Sequence, residues 1–193
     1  MKFILASKSP RRREILADLG LKFEIITADT DENCTLADPR AYVEELAMRK
    51  GMAVANILHD NDTVIIASDT VVACGGEILG KPRDKSDAMR MLNMLSGSKH
   101  EVISGIALIT REKAVVSSET TQVIFDVLSD SDKEIYINSD EPYDKAGAYA
   151  IQGLASMWIN GIEGDYFNVV GLPVKLLHDM LKNEFDIDMA KLI

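Results

Sequence analysis

The sequence predicts an α/β fold built on a mixed sheet. Short apolar, β-branched runs alternate with amphipathic helical segments along the chain. The middle, around residues 63–127, is richer in strand patterns than either end. Of the 193 residues, 47% are hydrophobic and 27% charged, a balance that supports a substantial core in one domain or two closely packed lobes.

Residues 2–6 read as a buried first strand. Ser9 then stands at the N-cap and Pro10 at the first position of a helix. Ile15, Leu16 and Leu19 are its apolar face and Gly20 its stop. Residues 23–27 read as a second strand, followed by an acidic loop. Pro39 opens a helix running to about residue 58, with Val43, Leu46, Ala47, Met52 and Val54 facing inward. Residues 63–67 form a central strand that ends at Ser68-Asp69-Thr70, and residues 71–79 turn back around Gly75-Gly76 as a hairpin. A helix over 84–95 buries Ala88, Met91, Leu92 and Leu95. Strands near 101–110 and 114–127 follow, then a capped helix over 129–138 and a polar loop over 139–147. A strand or hairpin pair over 148–162, a turn-rich stretch at 164–171 and a helix over 173–183 complete the chain.

The net charge of -10 argues against a surface that tracks nucleic acid or an anionic membrane. A phosphorylated ligand would have to be attracted by local basic clusters or by a metal. Cys34 and Cys74 match no metal-ligand spacing and read as free thiols of a reducing compartment. His59, His100 and His178 are too scattered for a histidine metal site. The opening apolar run is too short for a signal peptide, and no stretch reaches the roughly 18 apolar residues of a membrane helix. A cytoplasmic protein is expected.

Three constellations carry chemistry. Ser7-Lys8-Ser9-Pro10-Arg11-Arg12-Arg13 sets a lysine and three arginines at a strand-to-helix junction. There, free N–H groups and the helix dipole favour an anion, and arginine matches phosphate bidentately. The alternative is a solvated basic helix start. The second group is Glu32, Lys50, Asp69 and Lys81: Asp69 at the end of an apolar strand, Lys81 in the turn between Gly80 and Pro82. Such carboxylates suit Mg²⁺ or Mn²⁺ and can deprotonate water, although Glu32 also reads as a surface acid and Asp69 as a capping residue. The third runs from Asp144-Lys145-Ala146-Gly147 to Gln152-Gly153. Its small residues admit a ligand to the backbone, and the Gln152 amide offers donor and acceptor to a base edge; a plain strand residue is the alternative.

Taken together, these segments resemble the Maf family of nucleotide pyrophosphatases. The likeness rests on Ser7 to Arg12, Glu32, Lys50, Ser68-Asp69-Thr70-Val71-Val72, and Ile78-Leu79-Gly80-Lys81-Pro82. It continues through His100, Asp144 to Gly153, Gly164-Asp165-Tyr166 and Asn168 to Pro173. The resemblance implies a single domain with a bent mixed sheet flanked by helices, two lobes and a central cleft, like inosine triphosphate pyrophosphatases. It also implies a nucleoside triphosphate substrate, dependence on a divalent cation, for which Glu32 and Asp69 are the expected ligands, and water attack at the α-phosphorus. Asp69 matches the proton acceptor, with Glu32, Lys50 and Lys81 as its catalytic companions. Arg12, Thr70 and Gln152 match the family's specificity positions, and Ser7, Arg13 and Lys145 are expected to bind the substrate with them. Arg12, Thr70 and Gln152 look like the branch that prefers dTTP and UTP. A homodimer is compatible with the family. A nucleotide-binding regulator of cell division and a purine-triphosphate house-cleaning enzyme are the alternative readings.

Overall fold

The computed structural model describes residues 1–58 and 62–192; His59 lies outside the described residues. Among these, the element order is β1 (Lys2–Leu5), α1 (Pro10–Asp18), β2 (Glu24–Ile25), α2 (Pro39–Ala55), β3 (Thr63–Cys74) and β4 (Glu77–Leu79). Then come α3 (Lys85–Leu95), β5 (Lys99–Ile109), β6 (Ala114–Phe125), α4 (Asp130–Ile137), β7 (Ile159–Glu163), α5 (Tyr166–Val170) and α6 (Val174–Phe185). The strands form one sheet in the order β2-β1-β3-β5-β6-β7, with β4 paired to β3. β1 runs parallel to both β2 and β3, while β4 and β7 pair antiparallel with β3 and β6. The sheet is mixed, as the alternation of elements implies.

The chain divides into two compact units. The first comprises Met1–Asp69, Ser104–Glu119 and Gly171–Ile193; the second comprises Thr70–Ile103 and Thr120–Val170. Each has its own apolar core. In the first, Ile4, Ala6, Ala47, Val54, Ile65, Ala67, Ala107 and Ile109 pack together. In the second, Leu79, Met91, Leu92, Leu95, Phe125, Tyr136 and Tyr149 are among the packed residues.

Two glycines set the distance between α2 and the strands of the first unit. A Cβ on Gly51 would lie 2.5 Å from Ile109 Cδ1 and 3.2 Å from Ala67 Cβ, and one on Gly105 would lie 2.5 Å from the Val43 carbonyl oxygen. At Gly105 the obstacle is backbone and only hydrogen fits, so α2 rests almost backbone to backbone on β5; at Gly51 the nearest atom is the tip of the Ile109 side chain. Ala47, Gly51 and Val54 form its buried stripe at helical spacing. Met52 falls off that stripe and is exposed, contrary to expectation.

Caps mark the helices of the second unit. Asp84 accepts the Asp87 N–H at 2.8 Å to start α3. Ser129 and Asp132 form a reciprocal capping box at α4, the pairing expected to satisfy two orphan N–H donors. The inward face of α3 is Ala88, Met91, Leu92 and Leu95, as its periodicity implies.

Other expectations are corrected. β3 does not stop at residue 67 but continues through Asp69 to Cys74, so Asp69 lies within a strand rather than beyond one. Burial on both sides keeps that strand extended through three polar residues. Residues 148–162 contain one strand, β7, preceded by the 3₁₀ segment Leu154–Trp158. The Gly153 backbone at φ +120° turns the chain there, out of strand geometry. The stretch 164–171 contains helix α5, whose first N–H groups reach Asp165: Phe167 N–H donates to its carboxylate at 2.7 Å. Finally, Ser9 occupies the N-cap of α1 without a side-chain cap bond; its own N–H donates instead to Ser7 Oγ at 3.2 Å.

Candidate active site

The chemistry-bearing residues of the first unit converge on β3 and α2. Ala67 and Asp69 are two apart on β3 and share a face. Ala67 meets α2 at Gly51, so the preceding α2 residue, Lys50, reaches Asp69. Its Nζ donates to Asp69 Oδ1 at 2.6 Å and lies 2.9 Å from Glu32 Oε1. The two contacts differ in strength. The Lys50 and Asp69 side chains retain 19% and 13% exposure, whereas Glu32 retains 64%. A charge-assisted, partly buried bond contributes about 1.5–3 kcal/mol, and an exposed ion pair about 0–1 kcal/mol. Asp69 is therefore firmly held and Glu32 is the acid free to change partners.

Tyr42, absent from the expected site, belongs to this neighbourhood. Its phenol is pushed above the ordinary 10.0, first by burial and then by the negative field of Asp69, Cys34 and Glu32. A tyrosine inside a helical apolar pattern reads as core, so nothing in the sequence singles it out.

Arg12 is engaged from α1. Its Nε donates to the Gly171 carbonyl at 2.9 Å, and its Nη1 donates to the Ser68 carbonyl at 2.6 Å and to Ser7 Oγ at 3.2 Å. Burial draws its pKa below the ordinary guanidinium range, opposed by the carboxylate of Asp69. The guanidinium thus ties α1 to the backbone beside Asp69 and to the Gly171 turn, a framework role besides any contact with an anion. Arg13 is exposed, and its guanidinium forms no hydrogen bond or ion pair among the described residues. Ser7 joins Arg12, and Arg13 is the exposed neighbour of Arg12 on the first turn of α1.

In the second unit, Thr70 follows Asp69 directly in β3. Lys81 is exposed in the turn after β4. That turn is bonded to the Lys145 segment, because the Gly147 N–H donates to the Gly80 carbonyl at 3.0 Å. Gly147 sits at φ +67°, and a Cβ there would lie 2.8 Å from Val72 Cγ2, so the segment lies directly against β3. Lys145 Nζ donates to the Glu141 carbonyl at 2.6 Å and pairs with Asp144. Gln152 is exposed, with its Nε2 donating to Tyr166 Oη at 3.3 Å. His100 is buried against Phe125 and Tyr149, with Nε2 2.7 Å from Tyr149 Oη.

Among the described residues no group of three or more His, Cys, Asp or Glu could hold a metal ion. Glu32 and Asp69 nevertheless present hard oxygens toward one point, now filled by the Lys50 ammonium. Two carboxylates suit a Mg²⁺-type ion that takes its remaining ligands from water and phosphate, rather than a caged resident metal. Cys34 and Cys74 are free thiols, as expected. No helix among the described residues is long and apolar enough to cross a membrane.

Comparison with known proteins adds to this geometry. The sequence model of the family described as "Maf-like protein" matches residues 2–184. A dTTP/UTP pyrophosphatase of Alkaliphilus oremlandii is 48% identical over 192 residues, covering 97% of this chain and 98% of the relative. One from Thermosipho africanus is 47% identical over 191 residues, covering 99% and 97%. Another, from Clostridioides difficile, is 45% identical over 192 residues, covering 98% of each. Among solved structures, the Staphylococcus aureus Ham1 protein aligns with a TM-score of 0.54 at 15% identity, covering 95% of this chain and 100% of that one. That last likeness concerns the fold alone and agrees with an open mixed sheet flanked by helices. With its family matched from residue 2 to residue 184 and full-length relatives near half identity, the chain belongs to the Maf family.

Proposed function

We propose that the protein hydrolyses nucleoside triphosphates, with dTTP and UTP preferred, at the α-phosphorus to give the monophosphate and pyrophosphate. The reading is supported by the full-length likeness to relatives that carry that activity in their names. The observation that carries the chemistry is the Asp69 carboxylate, oriented by Lys50 at 2.6 Å with Glu32 on the same ammonium.

Asp69 accepts the proton of the attacking water, a contribution of about 10²- to 10⁴-fold in rate. As the water oxygen bonds to the α-phosphorus, the bond to the pyrophosphate oxygen breaks, and charge grows on the leaving group. Lys50 and Lys81 neutralise that charge. Ser7, Arg12 and Arg13, with the start of α1, hold the triphosphate. Glu32 and Asp69 would hold a divalent cation, which offsets phosphate charge when bound. Lys145 binds the substrate. Thr70 shapes the sugar or base pocket, and the Gln152 amide presents donor and acceptor to the pyrimidine edge. The enzyme works in the cytoplasm, and a homodimer fits the family resemblance.

The test is pyrophosphate release from dTTP, UTP and a panel of purine triphosphates. Asp69→Asn should lower kcat by about 10²-fold or more with little change in fold. Near-wild-type turnover by this variant sinks the assignment of the base. A panel led by a purine triphosphate sinks the pyrimidine preference.

A further inference from the structure

The residues expected to bind substrate in the second unit, Lys145 and Gln152, lie on different turns, and one acid joins them. Glu141 Oε2 accepts the Leu154 N–H at 2.9 Å, and Oε1 accepts the Tyr136 hydroxyl at 3.0 Å. The backbone carbonyl of the same residue accepts Lys145 Nζ at 2.6 Å. Between Gln152 and Leu154 stands Gly153 at φ +120°, where a Cβ would lie 2.6 Å from Glu141 Oε1. A side chain at residue 153 is excluded twice, by backbone conformation and by the carboxylate. The Tyr136 ring is fully buried, so the acid is anchored to the core of the unit. Gln152 itself is exposed, and its amide touches Tyr166 at a long 3.3 Å. Its side chain starts from a backbone position that the turn clamped by Glu141 holds.

We propose that Glu141 is a positioning residue for nucleobase selection: it clamps the turn after Gln152, aiming the Gln152 amide, and fixes Lys145 through its carbonyl. The inference rests on the base-reading role of Gln152 given above. Aim matters because uracil and thymine present acceptor, donor, acceptor along the pairing edge. Cytosine presents acceptor, acceptor, donor there. A mobile amide serves both patterns by turning over, whereas a held one discriminates. A charged acceptor makes the Leu154 N–H bond one of the stronger kinds, suited to holding a glycine turn.

The experiment measures kcat/KM for dTTP and for dCTP in wild type, Gln152→Ala, Glu141→Ala and the double variant. Their ratio is independent of the active fraction, so a merely destabilising change does not move it. Glu141→Ala should lower the dTTP-to-dCTP ratio about tenfold, roughly the value of one net hydrogen bond. The effect should appear mostly in KM, and the double variant should be no less selective than Gln152→Ala alone. Should Glu141→Ala fold poorly, Tyr136→Phe removes only the hydroxyl donated to Glu141, and Glu141→Gln keeps one acceptor. Both should lower the ratio by a smaller factor. If Gln152→Ala lowers the ratio while the Glu141 and Tyr136 variants leave it unchanged, or if the effects multiply, the role of Glu141 is overturned and that of Gln152 stands. If Gln152→Ala leaves the ratio unchanged, the base-reading role fails, and the positioning role fails with it.

Discussion

At the scale of single residues, Lys50 has the most consequential position. One ammonium serves two carboxylates of very different exposure, so its removal leaves Asp69 partly buried and unpaired. Lys50→Met should reduce kcat/KM for dTTP by about 10²-fold, the typical cost of one preorganised electrostatic contact, with Asp69 still present. Steady-state pyrophosphate release checks this. His100 offers a second residue-scale prediction. Burial lowers its pKa from the ordinary 6.5 to about 4. Between those values the unfolded chain binds a proton that the folded protein does not. Stability therefore falls as pH drops from 6.5 toward 4, by about 3 kcal/mol in total, and the loss is complete below the folded value. Thermal melts across that window should show a slope that is reduced in His100→Gln, which does not titrate.

Among elements, α2 is the one whose placement decides the site. Lys50 reaches Asp69 with α2 held close to the sheet, since Gly105 lets the helix approach β5 more closely than any side chain permits and Gly51 packs against Ala67 of β3. Gly105→Ala pushes a methyl into the Val43 backbone, which cannot yield as a side-chain tip can. Such overpacking should cost about 1–3 kcal/mol and displace Lys50 as well, so chemical denaturation and turnover should both suffer. Ala88→Gly on α3 is the contrasting case: it should cost stability through helix propensity and a lost buried methyl while sparing turnover. The α4 capping box invites a surface test, since Ser129→Ala should cost about 1 kcal/mol without touching activity.

For the whole molecule, two apolar cores carry the stability of the two units. Leu92 is fully buried in the second, and Leu92→Ala should cost about 2–5 kcal/mol in a melt. The divalent cation proposed for turnover would be held by two carboxylates, Glu32 and Asp69, which converge on the Lys50 ammonium. Chelation with EDTA should abolish pyrophosphate release yet leave the melting temperature of the substrate-free protein unchanged. A fall in melting temperature would instead mark a resident structural metal. The net charge of -10 acts at this scale too. Triphosphate must be captured against an overall repulsive field, which is why the few local cations and a cation carried with the substrate matter.

Much of this was legible in the residues themselves. The alternation of apolar runs and amphipathic helices implied the mixed α/β sheet, the Gly75-Gly76 hairpin and the inward face of α3, because those features obey local periodicity and turn chemistry. Ser7, Arg12, Glu32, Lys50 and Asp69 were identifiable as candidates from residue type and motif order. Only the tertiary structure decided which groups each of them meets. It kept Asp69 inside a strand that local polarity alone would end, since burial on both faces outweighs the turn tendency of Ser-Asp-Thr. It directed Arg12 to two backbone carbonyls, left Arg13 exposed, and brought Tyr42 and Glu141 to sites no motif marks. Those outcomes depend on contacts between residues far apart in the chain, such as Arg12 with Gly171 and Lys50 with Asp69. Periodicity reports which face of an element is apolar; the close packing permitted by glycines such as Gly51, Gly105 and Gly147 determines which polar groups then meet.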